Sequence, residues 1–113
     1  MRRVTLYCED EMLTDIAVAD SYFLRLRGLI GRDPKQLGGL LLKPCNQIHT
    51  CFMSEPIDVL YLDRDNRVLS MEDTVPAGRF CRRVRGAVSV LELPAGFARA
   101  RGVHPGSALR FLG

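Results

Sequence analysis

Long apolar runs are missing from this chain of 113 residues. The longest apolar stretch, at residues 38–42, stops at Lys43 and Pro44 and falls far short of the roughly 20 residues that a membrane-spanning helix needs. An acidic run at residues 9–11 occupies the place where a signal peptide would carry its apolar segment. We therefore expect a cytoplasmic protein with no membrane span and no secretion signal.

Recognised catalytic motifs are also missing. The chain has no G-x-S-x-G elbow, no phosphate-cradling glycine loop and no dinucleotide fingerprint. It has no internal repeat, and no linker divides it. A length of this kind suits one domain, so we predict a single domain over residues 1–113. We expect no cofactor, and we expect any functional site to be small and to lie on the single core.

The basic side chains are unevenly placed. Residues 1–78 hold nine basic and twelve acidic side chains, whereas residues 79–113 hold seven arginines and one acid, Glu92. Four of the arginines lie within seven residues, at Arg79, Arg82, Arg83 and Arg85. Such a cluster suits phosphate contacts with a nucleic acid or another anion, but we favour a solvated loop that pairs with acids of the same chain.

Hydrophobic periodicity predicts an α+β fold. Alternation of apolar and polar residues predicts strands, and a capping residue followed by helix-forming residues predicts helices. The segments with strand-like patterns cover residues 3–8, 16–19, 40–42, 48–53, 57–62, 67–71, 87–93 and 108–112, and the predicted helices cover residues 22–30 and 97–101. The run 57–62 is apolar on nearly both faces, as in a central strand, and a turn joins it to 67–71 in a hairpin. Strands this short and numerous favour a compact, strongly twisted or barrel-like sheet of six to seven strands with two short helices.

Several short strings resemble one known family in their order and spacing. They are RGLIGR at 27–32, GLLL at 39–42, CNQIHT at 45–50, FM at 52–53, PIDV at 56–59, RGA at 85–87 and VLELPAG at 90–96. Together they resemble domain-of-unknown-function family 192, an uncharacterised family of bacteria and archaea, from about residue 16 to residue 112. The resemblance implies a β-rich α+β domain and no particular activity.

Two positions depart from the pattern of that family. Ser54 and Glu55 stand where the family usually has a basic residue, and Ser107 follows Gly106 where the family tends to have an acid. Any anion-binding role of the first position or acid-dependent role of the second is therefore doubtful in this chain.

His49 and Asp58 are the candidate catalytic residues. Each lies on a predicted strand, and a carboxylate beside an imidazole tunes a histidine as a base or metal ligand. We favour the simpler interpretation that both are structural hydrogen-bond partners, because buried polar groups are usually satisfied in this way. For Asp58 the expected partners are His49, a backbone amide or an arginine.

The cysteines offer a weaker possibility. Cys45, His49 and Cys51 form a C-x3-H-x-C cluster with ligand types suited to zinc, but without a fourth ligand nearby or the usual paired spacing. We expect no metal site and expect these two cysteines, Cys8 and Cys81 to be free thiols.

Three functions remain open, and we favour a non-enzymatic domain that binds a small molecule or a protein. Its expected binding residues are His49, Thr50, Met53, Asp58 and Arg85. The alternatives are a small hydrolase or lyase that uses His49 with Asp58, and a nucleic-acid or anion binder that uses the arginines of residues 79–85. We expect a monomer or a small homo-oligomer, and we expect Glu92 to cap the second helix or to pair with an arginine.

Overall fold

The computed structural model describes residues 1–21, 25, 34–50, 53 and 55–113. These residues form a seven-stranded sheet with the order β5-β4-β6-β3-β2-β1-β7. The strands are β1 (Arg2–Cys8), β2 (Glu11–Ala19), β3 (Leu40–Leu42), β4 (Ile57–Leu62), β5 (Val68–Val75), β6 (Ser89–Pro94) and β7 (Leu109–Leu112), and the helices are α1 (Pro34–Leu37) and α2 (Phe97–Ala100). The predicted fold class is confirmed. Within the described ranges no helix is long and apolar enough to cross a membrane.

Local sequence patterns account for the strand pairs. The alternating residues of β1 pair antiparallel with β2, which begins earlier than predicted because the turn is confined to residues 9 and 10. The hairpin of β4 and β5 forms as predicted, and Asp63 tightens its turn by accepting hydrogen bonds from the amides of Asp65 (2.8 Å) and Arg67 (2.9 Å). The pair β2–β3 is parallel, so the sheet is mixed.

The sheet curls into a half-barrel, and its two edge strands meet at one point. An isolated bridge joins Arg67 to Ala108, and the amide of Val68 donates to the carbonyl of Ser107 at 3.0 Å. This contact ties the start of β5 to the start of β7. It pairs backbone groups that an open sheet edge would leave exposed.

The curled sheet buries both of its faces. The concave face holds apolar residues from all seven strands, among them Leu6, Ile16, Leu60 and Leu91. The convex face of β2, β3, β6, β4 and β5 holds a second cluster that includes Tyr61 and Val90. All six residues of β4 are buried, as its two-sided apolar pattern predicted, because its alternate side chains enter the two clusters.

Two predicted elements differ from the structure or lie outside it. The predicted helix at 22–30 falls almost entirely outside the described residues. In the described part of the predicted strand 48–53, only a single bridge forms, between His49 and Phe80. Thr50 instead binds a turn, because its hydroxyl donates to the carbonyl of Pro76 at 2.7 Å and accepts from the amide of Arg79 at 2.9 Å.

A bulge in β5 contains a strained threonine. Ile57 faces Val75 and Val59 faces Glu72, so β5 carries one more residue than β4 between these pairs. Within the bulge, Thr74 has a φ of 53°, which is a genuine outlier for a β-branched residue.

We expect Thr74→Gly to raise the free energy of unfolding by about 1 kcal/mol. The relief of backbone strain, roughly 1–3 kcal/mol, exceeds the free-energy cost of the extra conformational entropy that glycine gives the unfolded chain. Glycine also keeps the backbone amide that binds Asp58. Urea denaturation measures the change. Asn66→Gly is the matched control, because Asn66 has a φ of 61° but asparagine tolerates that region better. A Thr74→Gly variant less stable than the native chain would contradict the assignment of strain.

Candidate functional site

Asp58 is a structural anchor at one end of the half-barrel. Its side chain is fully buried and accepts three backbone hydrogen bonds. Oδ1 accepts from the amides of Thr74 (2.9 Å) and Gly96 (3.0 Å), and Oδ2 accepts from the amide of Ala98 (3.1 Å). The carboxylate therefore fastens the start of α2 to the bulge of β5, and a backbone amide was among the partners expected for it.

The structure does not bring His49 and Asp58 together. Asp58 faces Leu93 across the β4–β6 pair, and Leu93 belongs to the concave cluster. His49 is exposed and lies on a segment that covers the convex face. Because the two side chains belong to opposite faces of the sheet, the geometry does not favour a His49–Asp58 pair.

The segment that holds His49 is paired with residues 79–84. The amide of Thr50 donates to the carbonyl of Arg79 at 2.7 Å. In the other direction, the amide of Cys81 donates to the carbonyl of Ile48 at 3.0 Å, and the amide of Val84 donates to the carbonyl of Asn46 at 3.2 Å. These three bonds form an irregular antiparallel ladder. Ile48, Cys81 and Val84 pack against the convex cluster, so the ladder is fixed to the sheet.

Side-chain hydrogen bonds hold the ladder in place. The hydroxyl of the buried Tyr61 donates to the carbonyl of Arg82 at 3.1 Å, and the side-chain Nε2 of the exposed Gln47 donates to the carbonyl of Cys81 at 3.1 Å. Met53 and Thr50 are buried, so both of these predicted binding residues support the ladder from within. Their burial leaves His49 and Arg85 as the exposed members of the predicted set.

The outer side of the ladder presents an aromatic pair. The side chain of Phe80 is 77% exposed, the highest value among the exposed large apolar residues. The His49 ring lies beside it, with the ring centroids 5.6 Å apart and the ring planes inclined by 50°. We call the surface formed by His49, Phe80, Arg82, Arg83 and Arg85 the basic–aromatic patch. A single exposed apolar side chain is common on protein surfaces, so what distinguishes this surface is the combination of Phe80 with His49 and three arginines.

The arginines of the patch are only partly neutralised by the chain itself. Arg79, at its border, contacts Glu72 at 3.8 Å, and Arg82 contacts the hydroxyl of Ser70 at 3.4 Å. Arg83 and Arg85 are exposed and have no acidic partner among the described residues. Among the described residues, the intrachain pairing with an acid that we favoured for this cluster thus occurs for Arg79 and for none of the other three arginines, and the patch keeps a positive charge.

The cysteine cluster does not assemble within the described residues. Cys45 is half-buried, and its thiol donates to the carbonyl of Gln47 at 3.2 Å; burial raises the pKa of this thiol. His49 faces outward beside Phe80, and Cys51 lies outside the described residues. Across the described ranges, no group of three or more His, Cys, Asp or Glu side chains is arranged to hold a metal. Cys8, Cys45 and Cys81 are free thiols.

Glu92 is a site residue whose environment the sequence analysis missed. It lies in the middle of β6 between Leu40 and Val59, is 3% exposed, and its Oε1 has no hydrogen-bond partner among the described residues. Burial raises the pKa of Glu92 to about 8. Neither alternative expected for Glu92 is found: Asp58 supplies the carboxylate at the start of α2, and no ion pair joins Glu92 to an arginine among the described residues. Glu92 instead faces the convex side.

The alternation of β6 was the signal that would have located Glu92. Val90 belongs to the convex cluster, and Leu91 and Leu93 belong to the concave cluster. Residue 92 must therefore point to the same side as Val90. Because β6 is buried on both faces, the side chain of Glu92 lies in the apolar layer of the convex cluster.

Sequence comparison finds relatives of uncharacterised function. The model of domain-of-unknown-function family 192, described as "Uncharacterized ACR", matches residues 5–111. A UPF0127 protein of Pyrococcus furiosus is 30% identical over 105 residues, which cover 89% of this chain and 90% of that protein.

Two crystal structures share the fold. A protein of unknown function from Novosphingobium aromaticivorans matches with a TM-score of 0.79 at 19% identity, over 96% of this chain and 83% of the other. A Sinorhizobium meliloti protein named "putative transcription regulator" matches with a TM-score of 0.76 at 25% identity, over 96% of this chain and 92% of the other. The half-barrel is thus a fold that this chain shares with two crystal structures.

Proposed function

This chain belongs to domain-of-unknown-function family 192, and we propose that this member is a non-enzymatic binding domain that docks onto an acidic segment of a partner protein. The basic–aromatic patch is the docking surface. The observation that carries the proposal is the exposed Phe80 beside His49, with Arg82, Arg83 and Arg85 close to Phe80 in the chain and without an acidic partner among the described residues.

The composition of the patch suits a protein interface. Aromatic residues and arginine are enriched at the centres of protein interfaces, whereas Lys, Glu and Asp are depleted there. The patch contains one Phe, one His and three Arg. An acidic segment with one apolar side chain would cover Phe80 while its carboxylates meet Arg83 and Arg85, with paired hydrogen bonds from each guanidinium.

The ladder holds the patch in a preformed conformation. The backbone hydrogen bonds between residues 46–50 and 79–84 and the support from Tyr61 hold its backbone in one arrangement. A preformed surface loses less conformational entropy when a partner binds.

Nucleic acid is the competing partner, since one structural neighbour is named as a transcription regulator. The observations favour a protein. Binders of single-stranded nucleic acid use several aromatic side chains as stacking platforms, whereas the described residues of the patch offer one aromatic pair, Phe80 and His49.

Selection from a phage-displayed library of random peptides tests the proposal. We expect enrichment of peptides that combine several acids with an aromatic or aliphatic residue. For a selected peptide, Phe80→Ser should weaken binding about 30-fold, as for an interface hot spot. The double variant Arg83→Glu/Arg85→Glu should weaken it at least ~10-fold.

Controls at distant exposed positions keep this test specific. Arg64→Glu on the β4–β5 turn and Met12→Ser on β2 change the same kinds of side chain elsewhere and should leave peptide binding unchanged. The proposal fails if no acidic peptide is enriched, or if the patch variants bind as tightly as the native chain. It also fails if a labelled single-stranded oligonucleotide binds more tightly than any peptide and loses that binding in Phe80→Ser.

A further inference from the structure

The ladder that carries the basic–aromatic patch has an outer edge formed by the backbone of Phe80. An isolated antiparallel bridge joins His49 to Phe80, and the two hydrogen bonds on either side of the bridge belong to the chain neighbours of these residues. This pattern marks a non-hydrogen-bonded pair of an antiparallel ladder. The amide and the carbonyl of Phe80 therefore point away from the segment of His49, toward the outer edge.

The same edge continues at Arg82. The amide of Arg79 and the carbonyl of Cys81 both bind side chains of the other strand of the ladder. Because backbone directions alternate along a strand, Arg82 is turned outward like Phe80. The carbonyl of Arg82 accepts from Tyr61. Among the described residues, no hydrogen bond uses the amide of Arg82 or either backbone group of Phe80.

This edge lies at the margin of the molecule. Arg79 contacts Glu72 at 3.8 Å and Arg82 contacts Ser70 at 3.4 Å, and both contacts are with β5, the outermost strand at that end of the sheet. Phe80 and Arg82 are exposed. In the part of the chain that the structure describes, no strand pairs with the outer edge. Unpaired amides and carbonyls at an edge are a template for an added strand.

Charge selects the kind of strand that this edge accepts. Arg82, Arg83 and Arg85 have no acidic partner within the described ranges. Opposite charges on facing strands attract, and like charges directly opposite each other are destabilising. A second copy of this chain would bring arginine against arginine, whereas an acidic strand brings carboxylates. A carboxylate is also a stronger acceptor for the Arg82 guanidinium than the Ser70 hydroxyl that it contacts.

We infer that the acidic partner segment binds in an extended conformation, as a strand added along residues 80–82. This inference rests on the proposed docking function. The backbone of Phe80 and the amide of Arg82 hydrogen-bond to the added strand. The side chains of Phe80 and Arg82 lie two residues apart on one face, so the partner places an apolar residue opposite Phe80 and an acid two positions away, opposite Arg82. The partner is thus a segment in which acids and an apolar residue recur with a period of two.

Two synthetic peptides of the same composition, with both ends blocked, test this period. The alternating peptide is Thr-Glu-Thr-Phe-Thr-Glu-Thr-Gly, and the clustered peptide is Thr-Thr-Glu-Phe-Glu-Thr-Thr-Gly. We expect the alternating peptide to bind at least ~10-fold more tightly in fluorescence anisotropy titrations, because only this peptide sets an acid and the apolar side chain on one face. Arg82→Glu should remove this preference, and the matched control Arg64→Glu should keep it.

Backbone pairing is tested on both partners. N-methylation of the alternating peptide, one amide at a time, should weaken binding at least ~10-fold at every second position and less than ~3-fold at the positions between. In the complex, hydrogen exchange of the amides of Phe80 and Arg82 should slow at least ~10-fold, whereas exchange at Arg64 should stay unchanged.

The outcomes separate this inference from the docking function itself. If selected acidic peptides bind and lose affinity in Phe80→Ser, docking through the patch stands. The added strand is then overturned if the two synthetic peptides bind alike, if N-methylation shows no alternation, or if exchange at Phe80 does not slow. If neither the synthetic peptides nor any selected acidic peptide binds, the docking function and the added strand are both overturned.

Discussion

Replacing Asp58 by alanine is expected to lower the free energy of unfolding by about 3–5 kcal/mol. The carboxylate accepts hydrogen bonds from three amides, those of Thr74, Gly96 and Ala98, and its loss leaves all three donors without their acceptor. A hydrogen bond to a charged group contributes about 1.5–3 kcal/mol, and an orphaned buried donor costs about 1–3 kcal/mol. The total is smaller than the simple sum because only the bond from Ala98 is fully buried, whereas water can replace the acceptor at the part-buried bonds from Thr74 and Gly96.

Urea denaturation of Asp58→Ala measures this loss, and two further variants serve as controls. Asp58→Asn keeps an acceptor oxygen for Thr74 and Gly96 but not for Ala98, so we expect an intermediate loss. Asp63→Ala removes a carboxylate that also accepts two amides, in an exposed turn, and should cost only ~1 kcal/mol. If Asp58→Ala is no less stable than Asp63→Ala, Asp58 is not the anchor of α2.

Glu92→Gln is expected to become more stable than the native chain as the pH rises. The pKa of Glu92 is about 8 in the folded chain, from an ordinary value of 4.5. Between these two values the folded chain keeps a proton that the unfolded chain has released. Its free energy of unfolding therefore falls by up to about 1.4 kcal/mol for each pH unit. Above pH 8 both states are ionised, and the decrease ends.

Glutamine mimics the protonated acid but does not titrate. We therefore expect Glu92→Gln and the native chain to differ by less than about 1 kcal/mol at pH 5, where both carry a neutral side chain. Near pH 8 we expect the variant to be more stable by roughly 3–5 kcal/mol. Denaturation curves of both chains from pH 5 to pH 9 measure the difference. Asp10→Asn, at an exposed carboxyl, is the control, and its free energy of unfolding should change with pH as that of the native chain does. If the free energy of unfolding of Glu92→Gln also changes with pH in this way, Glu92 is not held protonated by burial.

The convex face therefore contains an acid that is tolerated only while it is neutral. Glu72, which faces Val59 from the neighbouring strand, also has a buried oxygen, Oε2, without a partner in the described residues.

Much of the strand order along the chain was predictable, because alternation and turn residues are local signals. The strands around residues 3–8 and 57–62 and the β4–β5 hairpin were confirmed. The predicted strand at 48–53 was not formed as a strand in its described part, because Thr50 uses its hydroxyl and backbone to hold a distant turn. Local patterns do not record such long-range bonds.

The candidate site was less predictable for the same reason. The sequence placed Asp58 in an apolar run and offered His49 as a possible partner. Whether the two side chains meet depends on which face of the sheet each one occupies, and the sequence pattern did not show this. The arginine cluster was visible in the sequence. The contact between His49 and Phe80 was not, since only the fold brings residues so far apart in the chain together.

The most direct test of the proposed function is amide NMR mapping of the native chain with an acidic peptide obtained by selection. Binding at the basic–aromatic patch predicts the largest shifts at His49, Phe80 and Arg82 to Arg85, with the amides of Gly96 and Ala98 unchanged. Shifts centred on Gly96, Ala98 and Asp58 instead, or spread evenly over the surface, would contradict docking through the patch.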